Sequence, residues 1–311
     1  MGMRRLYLVP LGILLALVSI LAALTVASLA FNLATDPGGK PVRELWPGRF
    51  VEADGVLTAF REWGTKGSPI VLVGGFVEPS FVWNDVAPLL AKHHRVYALD
   101  LDGFGYSERR GPWTLDEWAN QVHGFMRALG LARPIVVGHS LGAAVAVELA
   151  RRRLASRVVL LDGDALDTGG ASWFVRDVLV HTPFVTTGIR LAQRWNWPVE
   201  HLLENAYGPN HPPLDGALVA RWTRQLEAQG AEHALETMAG RRIVGFPADQ
   251  LGRVPIRATV VWGSQDDVDD RDSGRLAAER LKAPFILIPG VGHLSMLEDP
   301  PAVARAVLRD P

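Results

Sequence analysis

The first chemical signal in the chain is Gly138-His139-Ser140-Leu141-Gly142, set between the apolar run Ile135 to Val137 and the Ala-rich stretch Leu141 to Arg152. A Ser on a tight strand-to-helix turn lifts its hydroxyl above a sheet, and glycines two residues before and after it let strand and helix approach without Cβ clashes. A hydroxyl alone is a poor nucleophile: it needs a base within reach and an acid that orients the base. The expected base is His293, in Gly290-Val291-Gly292-His293, directly after the apolar run Phe285 to Ile288. His93 and His94 sit at a helix end, His123 lies on an amphipathic helix, and His181, His201, His211 and His233 fall in a helix-like block, all positions that suit surface or core. His139 diverges from its neighbour on a tight turn and is expected to shape the substrate pocket or to pack.

The expected acid is Asp266, in Trp262-Gly263-Ser264-Gln265-Asp266, while Asp267, Asp269, Asp270 and Asp272 read as a solvated helix start. Asp162 or Asp164, after Val158 to Leu161, is the second candidate. Asp266 is preferred because it follows the later strand and precedes His293 by a single strand-helix unit. Attack on a carbonyl builds an oxyanion that requires backbone donors. Leu141 N–H is expected to be one and Phe76 N–H the other, with Gly75 beside it allowing close approach of a ligand. Substrate contacts are expected from Gly75, His139 and Trp173.

These residues need a scaffold that brings strand ends together. Phe50 to Ala53 and Leu57 to Trp63 flank Asp54-Gly55, a hairpin signal. Short apolar runs at 70–73, 96–99, 135–137, 158–161, 258–262 and 285–288 suit strands buried on both faces of a parallel sheet. Helix patterns lie between them at 81–92, 114–129, 141–152, 271–282 and 301–308, the second opened by the capping box Thr114-Leu115-Asp116-Glu117. The alternation predicts an α/β fold with a mostly parallel, doubly wound sheet. The core is expected over 48–165 and 252–311, interrupted by a helical insertion at 166–251 rich in Trp.

Composition narrows the chemistry further. The 311 residues carry 32 Lys+Arg against 33 Asp+Glu, a net charge of −1, which is poor footing for binding a polyanion, so no nucleic-acid partner is expected. The absence of Cys excludes disulfides, thiolate metal sites and a thiol nucleophile. No His/Asp cluster has metal-ligand spacing, and neither metal nor organic cofactor is expected.

The mean hydropathy of +0.12 has a local origin. Residues 6–31 carry no charge and exceed the roughly 20 needed to span a bilayer. Residues 1–31 are therefore expected to form an N-terminal anchor, followed by a Gly/Pro-rich linker at 32–47. Arg4 and Arg5 precede the span and mixed charges follow it, which places the N-terminus in the cytoplasm and the remaining chain outside it. A cleaved secretory signal is the alternative. Ser28-Leu29-Ala30 offers a small-x-small site, but the run exceeds the usual ~7–15 residues of a signal's apolar region.

Taken together, Ser140, Asp266 and His293, in that chain order, resemble the α/β-hydrolase superfamily over residues 48–310. Leu72-Val73-Gly74-Gly75-Phe76, with Ser80 and Trp83 downstream, is similar to the family's His-Gly-Phe oxyanion loop, with Gly74 where the His stands. Asp100-Leu101-Asp102-Gly103-Phe104-Gly105-Tyr106-Ser107 is similar to its Asp-Leu-Pro-Gly-Phe-Gly-x-Ser turn, with Asp102 in place of Pro. The insertion then corresponds to the family's helical cap. Haloalkane dehalogenases and most epoxide hydrolases of this fold use Asp as nucleophile, so Ser140 points instead to acyl chemistry on a small-molecule ester. The same three residues serve C–C bond hydrolases, perhydrolases, thioesterases and aminopeptidases of the fold, and a noncatalytic binding protein is the reading from another class.

Overall fold

The computed structural model describes residues 3–35, 38–167, 182–209, 211, 213–239 and 245–310. Eight strands among them form one sheet: β1 Arg49–Ala53, β2 Val56–Trp63, β3 Pro69–Val73, β4 Arg95–Leu99, β5 Ile135–His139, β6 Arg157–Leu161, β7 Ala258–Gly263 and β8 Phe285–Ile288, in the order β1-β2-β4-β3-β5-β6-β7-β8. β2 pairs antiparallel with β1 and with β4, and the other pairs are parallel. Asp54 and Gly55 close the β1–β2 hairpin with φ of 52° and 79°, the left-handed pair that a two-residue turn demands.

The short apolar runs become strands covered on both faces. Val71 and Val73 point into a cluster with Val136, Val158 and Trp262, while their neighbours Ile70 and Leu72 join Val137, Val159 and Val261 on the opposite face. The first face is covered by α4 Leu115–Ala128, α5 Leu141–Arg151 and a helix at Arg271–Leu281. Thr114 caps α4, its hydroxyl accepting from the Glu117 N–H at 3.3 Å. α5 is buried from Leu141 through Ala150, a stretch of small and aliphatic residues apart from Glu148, which is paired with Arg151 and Arg152. The second face is covered by Ser80–Trp83, by α3 Ala87–Leu90 and by the C-terminal helix Pro300–Leu308.

Three expectations change. The helix expected over 81–92 is a 3-10 turn at Ser80–Trp83 followed by α3, because a proline at 88 has no N–H for a continuing ladder and its ring clashes with the preceding turn. The helix expected at the N-terminus, α1, runs Met3–Ala34, beyond the expected end at 31, and its stretch Gly12–Ala34 is long and apolar enough to cross a membrane. The segment 32–47 is no free linker in its second half. Val42–Leu45 forms a helical turn, α2, whose Val42 and Leu45 pack with Ala59, Tyr106 and Ala228.

The chain between β6 and β7 leaves the core and returns at one place. Phe246 N–H donates to Ala165 O and Asp167 N–H to Phe246 O, so both ends of the insertion are stitched together. Its described helices are α6 Pro183–Arg194, α7 Trp197–Ala206, α8 Gly216–Thr223 and α9 Ala231–Ala239. They lie over the C-terminal ends of the strands. β3 turns toward β4 on one side while β5 begins the run in the other direction, and a crevice opens at such a switch point in an open α/β sheet.

Candidate active site

Ser140 follows β5 at this switch point with φ 49° and ψ −119°, a conformation rarely taken by a residue with a side chain. It persists because the neighbouring backbone leaves no alternative. Ser140 N–H is held by Leu161 O at 3.0 Å, and a Cβ on Gly138 would lie 2.0 Å from Gly142 O, one on Gly142 2.4 Å from Val73 O. The hydroxyl makes no capping bond to α5 and faces a cavity that His293 and Phe76 also line.

His293 lies in the loop after β8. Its Nδ1 is 2.9 Å from Asp266 Oδ2, and the Asp266 side chain is completely buried. The second Asp266 oxygen accepts from Val268 N–H at 2.9 Å and Asp269 N–H at 3.1 Å, which fixes the carboxylate in the loop after β7. A carboxylate acceptor at Nδ1 places that proton on Nδ1 and leaves Nε2 as the basic nitrogen of the ring. The His293 main chain is held as well: its N–H donates to Ala206 O at 2.8 Å, and its carbonyl accepts from His139 Nε2 at 2.8 Å. Leu141 opens α5, so its N–H is one of the first-turn donors without a helical partner. Phe76 lies in the loop after β3, 40% exposed, its ring edge-on to Phe104 at 5.2 Å. A Cβ on Gly75 would come within 2.9 Å of the Ser140 Cβ, so only glycine lets this loop pass so near the Ser. A hydroxyl, an imidazole oriented by a carboxylate, and main-chain donors around one cavity can together perform nucleophilic attack on a carbonyl.

A family model for the alpha/beta hydrolase family matches residues 70–306. The chain belongs to that family. This hydrolase is 26% identical over 277 residues to the 2-hydroxy-6-oxo-6-(2'-aminophenyl)hexa-2,4-dienoic acid hydrolase of Metapseudomonas resinovorans, covering 84% of this chain and 89% of the relative. Among solved structures it is similar to a serine hydrolase involved in carbazole degradation, with a TM-score of 0.70 and 25% identity over 84% of this chain and 96% of that one. A membrane phospholipase A described as a bacterial virulence factor shares the fold at a TM-score of 0.68 and 24% identity, over 97% of this hydrolase and 96% of that chain.

Some expected residues stand elsewhere. His139, expected among the substrate contacts, is fully buried behind the turn, and both ring nitrogens are engaged, Nδ1 by Glu78 Oε2 at 2.8 Å and Nε2 by the His293 carbonyl. Trp173 lies outside the described residues. Asp164 turns away to accept from Leu166 N–H at 2.8 Å. Asp162 is fully buried between the loops that carry Asp266 and His293, accepting from Gly263 N–H at 2.6 Å and from the Ser295 hydroxyl. Burial pushes its carboxyl up to about 7, against the pull of His139, His293 and Ser295. Asp102, the departure in the turn after β4, is buried and accepts from Trp113 Nε1 at 2.7 Å, Arg110 N–H at 2.9 Å and Gly111 N–H at 3.1 Å. It braces that loop from inside.

The sequence did not reveal Glu78. Its Oε2 accepts from Gly75 N–H at 2.6 Å and from His139, so one buried carboxylate braces the loop after β3 against the Ser140 turn. Both partners of His139 are acceptors, so both of its nitrogens carry hydrogen and the ring is a cation beside the Glu78 anion. Burial alone would strip that proton, but the charge and hydrogen bond of Glu78, with Asp162 and the His293 carbonyl, outweigh it and raise His139 to about 9. Burial works against the Glu78 anion too, and His139 with the Gly75 N–H more than offsets it, lowering the Glu78 pKa. Two signals pointed here: Glu78 is the one charge in the loop from 74 to 80, and Gly74 removes the His that relatives of this pattern carry. Gln225 was also missed. It is buried in the insertion and donates to Val77 O at 2.8 Å while accepting from Gly105 N–H at 2.7 Å, which joins the cap to two site loops.

Proposed function

We propose that this hydrolase cleaves carboxylic esters with long apolar acyl groups through Ser140, His293 and Asp266. The observation that carries the proposal is the cavity above Ser140, about 650 Å³ and walled by side chains such as Val185, Ile189, Val199, Leu203, Trp222 and Leu226. Its described lining includes no Lys or Arg. Such a space accepts an acyl chain and offers no Lys or Arg to a free carboxylate.

In the proposed reaction, His293 Nε2 takes the Ser140 proton as Oγ attacks the ester carbonyl, and Asp266 stabilises the imidazolium at Nδ1. The tetrahedral oxyanion lies against the N–H groups of Phe76 and Leu141, each worth about 10²–10³ in rate in comparable sites. The imidazolium then protonates the leaving alcohol, and the acyl group remains on Ser140. Water, activated by the same nitrogen, attacks the acyl-enzyme and releases acid and free Ser140. The proposal includes anchoring by α1, with the N-terminus in the cytoplasm and the catalytic part outside it, from the charge asymmetry around residues 6–31.

Similarity to the aminophenyl-hexadienoic acid hydrolase favours a second reading, hydrolysis of a C–C bond next to a ketone. A dienoic acid brings a carboxylate, for which the described lining has no cation. The discriminating experiment presents the full chain with p-nitrophenyl esters from acetate to palmitate and with a 2-hydroxy-6-oxo-hexa-2,4-dienoate. Turnover of esters rising beyond about six acyl carbons is expected, with Ser140→Ala reducing kcat/KM by at least about 10⁴-fold. Equal ester turnover by both proteins, or turnover of the dienoate alone, overturns the ester proposal.

A further inference from the structure

The anchor helix is fixed to the cap. Starting at Leu6, about 20 residues at 1.5 Å each cross the ~30 Å hydrocarbon layer, so α1 leaves the apolar core of a bilayer near Val26. The eight or so residues beyond that point dock on α6. Asn32 Nδ2 donates to Pro183 O at 2.9 Å, Thr187 Oγ1 donates to Asn32 Oδ1 at 2.9 Å, and the hydroxyls of Ser28 and Thr187 meet. Arg190 of α6 donates to the carbonyls of Asn32 and Thr35 and is itself held by both oxygens of Glu232, at 2.6 and 2.7 Å. Phe31 stacks on Trp195 with ring centroids 6.5 Å apart, and Arg194 lies over the Phe31 ring. Polar, oriented contacts of this kind set a fixed attitude of the cap relative to α1.

That attitude has a consequence for α6 and α7. With Phe31 at the level where the chain emerges, Trp195 and the start of α7 lie at headgroup depth. Exposed apolar side chains lie there: Trp195 is 48% exposed, Trp197 61% and Leu202 68%, and Leu29 and Leu33 of α1 are exposed as well. Tryptophan is the residue that suits an interface with one apolar and one wet side. The charges of the two helices balance, Arg190 and Arg194 on α6 against Glu200 and Glu204 on α7, so the surface fits a zwitterionic lipid layer by apolar contact. The same two helices wall the cavity on their inner side, through Val185 and Ile189 of α6 and Val199 and Leu203 of α7, and Leu202 belongs both to the exposed surface and to the cavity lining.

We propose that α6 and α7 form a bilayer-contact face in which Trp195 and Trp197 seat among phospholipid headgroups, and that the cavity draws its substrate, a lipid acyl ester, from that layer. The substrate half rests on the ester proposal above; the contact face does not. Because the chain has no Cys, a single label can be placed without background. Trp197→Cys and, as control on the far end of the sheet, Lys92→Cys are each given a nitroxide in the full chain, reconstituted in phosphatidylcholine vesicles. Collision with a water-soluble nickel chelate is expected to be about threefold lower at 197 than at 92, with collision by oxygen higher. Equal accessibility at the two sites overturns the contact face, as does dipolar broadening at 197, which would assign the surface to a second copy of the chain. In the activity arm, Trp197→Ser is expected to lower turnover of a long-chain ester embedded in the vesicles about tenfold, with a soluble short-chain ester within about twofold of the unaltered protein. An inserted label with unchanged vesicle turnover overturns delivery from the layer. An inserted label with no ester turned over by the unaltered protein overturns the ester proposal and the lipid-ester half together, leaving the contact face standing.

Discussion

Asp266→Asn is expected to lower kcat on a soluble ester by about 10³–10⁴-fold with KM changed only a few fold. Asn in place of Asp266 can present an amide N–H to His293 Nδ1, which turns the ring to the tautomer whose Nε2 carries the proton and cannot accept one from Ser140. The lost charge also withdraws stabilisation from the imidazolium. Asp162→Asn is the matched comparison, because this carboxylate is equally buried and also lies between the loops of β7 and β8. It bonds to Gly263 and Ser295 and not to the His293 ring, so the expected loss is within about tenfold. Steady-state kinetics on both variants, with thermal unfolding to verify the fold, decides between them. The reverse order of losses would transfer the acid role to Asp162.

Glu78→Ala is expected to destabilise the protein by about 3–5 kcal/mol, the range for breaking a buried ion pair from one side. It leaves the His139 ring without its counter-charge and the Gly75 N–H without its acceptor. Glu78→Gln is far milder, since an amide can donate to a neutral His139 at Nδ1 while Nε2–H still serves the His293 carbonyl. The two variants also differ from the unaltered protein in pH response. His139 holds its proton to about 9 in the folded state against a usual 6.5, so its contribution is complete below about 6.5 and is lost as pH rises through 9, about 3 kcal/mol in all. Asp162, raised to about 7, loses its contribution as pH rises from about 4 to 7, so the slope between pH 7 and 9 belongs to His139. Denaturant unfolding of the full chain in detergent is expected to show that slope, and Glu78→Gln to abolish it. A flat profile from pH 7 to 9 in the unaltered protein would mean that His139 is neutral.

The fold was legible where local pattern and burial agree. Strands covered on both faces, such as Ile70 to Val73 and Val158 to Leu161, read as uninterrupted apolar runs, and the Asp54-Gly55 turn declared the hairpin. The stretch 81–92 misled because its apolar spacing fits a helix while Pro88 forbids a continuous one. The segment 32–47 misled because Gly38, Gly39 and Pro41 dominate its composition, whereas Val42 and Leu45 find partners, Ala59 and Ala228, that are distant in sequence. The placing of Ser140, Asp266 and His293 around one crevice follows from glycine signals at strand ends, which are local. Glu78, Gln225 and the inward turn of His139 depend on contacts across 61 residues for the Glu78–His139 pair and 148 for the Gln225–Val77 bond, and no periodicity reports those. The role of Asp102, which stands in place of Pro, could not be read from sequence because its donors, Arg110, Gly111 and Trp113, gather only when the following loop folds back.

The bond from the His293 main chain to Ala206 carries a lesson for recombination. The seam between cap and core is commonly drawn at the two chain crossings, here near 166 and 246, yet besides the Gln225 bonds another join lies further along the insertion, where Glu298 also accepts from Gly208 N–H at 3.0 Å and Gly292 N–H at 2.8 Å. A Cβ on Gly292 would fall 2.3 Å from Gly208 N, so the two segments touch backbone to backbone. A cap transplanted from another member of the family would have to bring a compatible 206–208 segment along with its cavity-facing helices, or the His293 loop would lose its mooring. Exchange of specificity in this molecule is thus constrained at the end of α7, well away from either splice point.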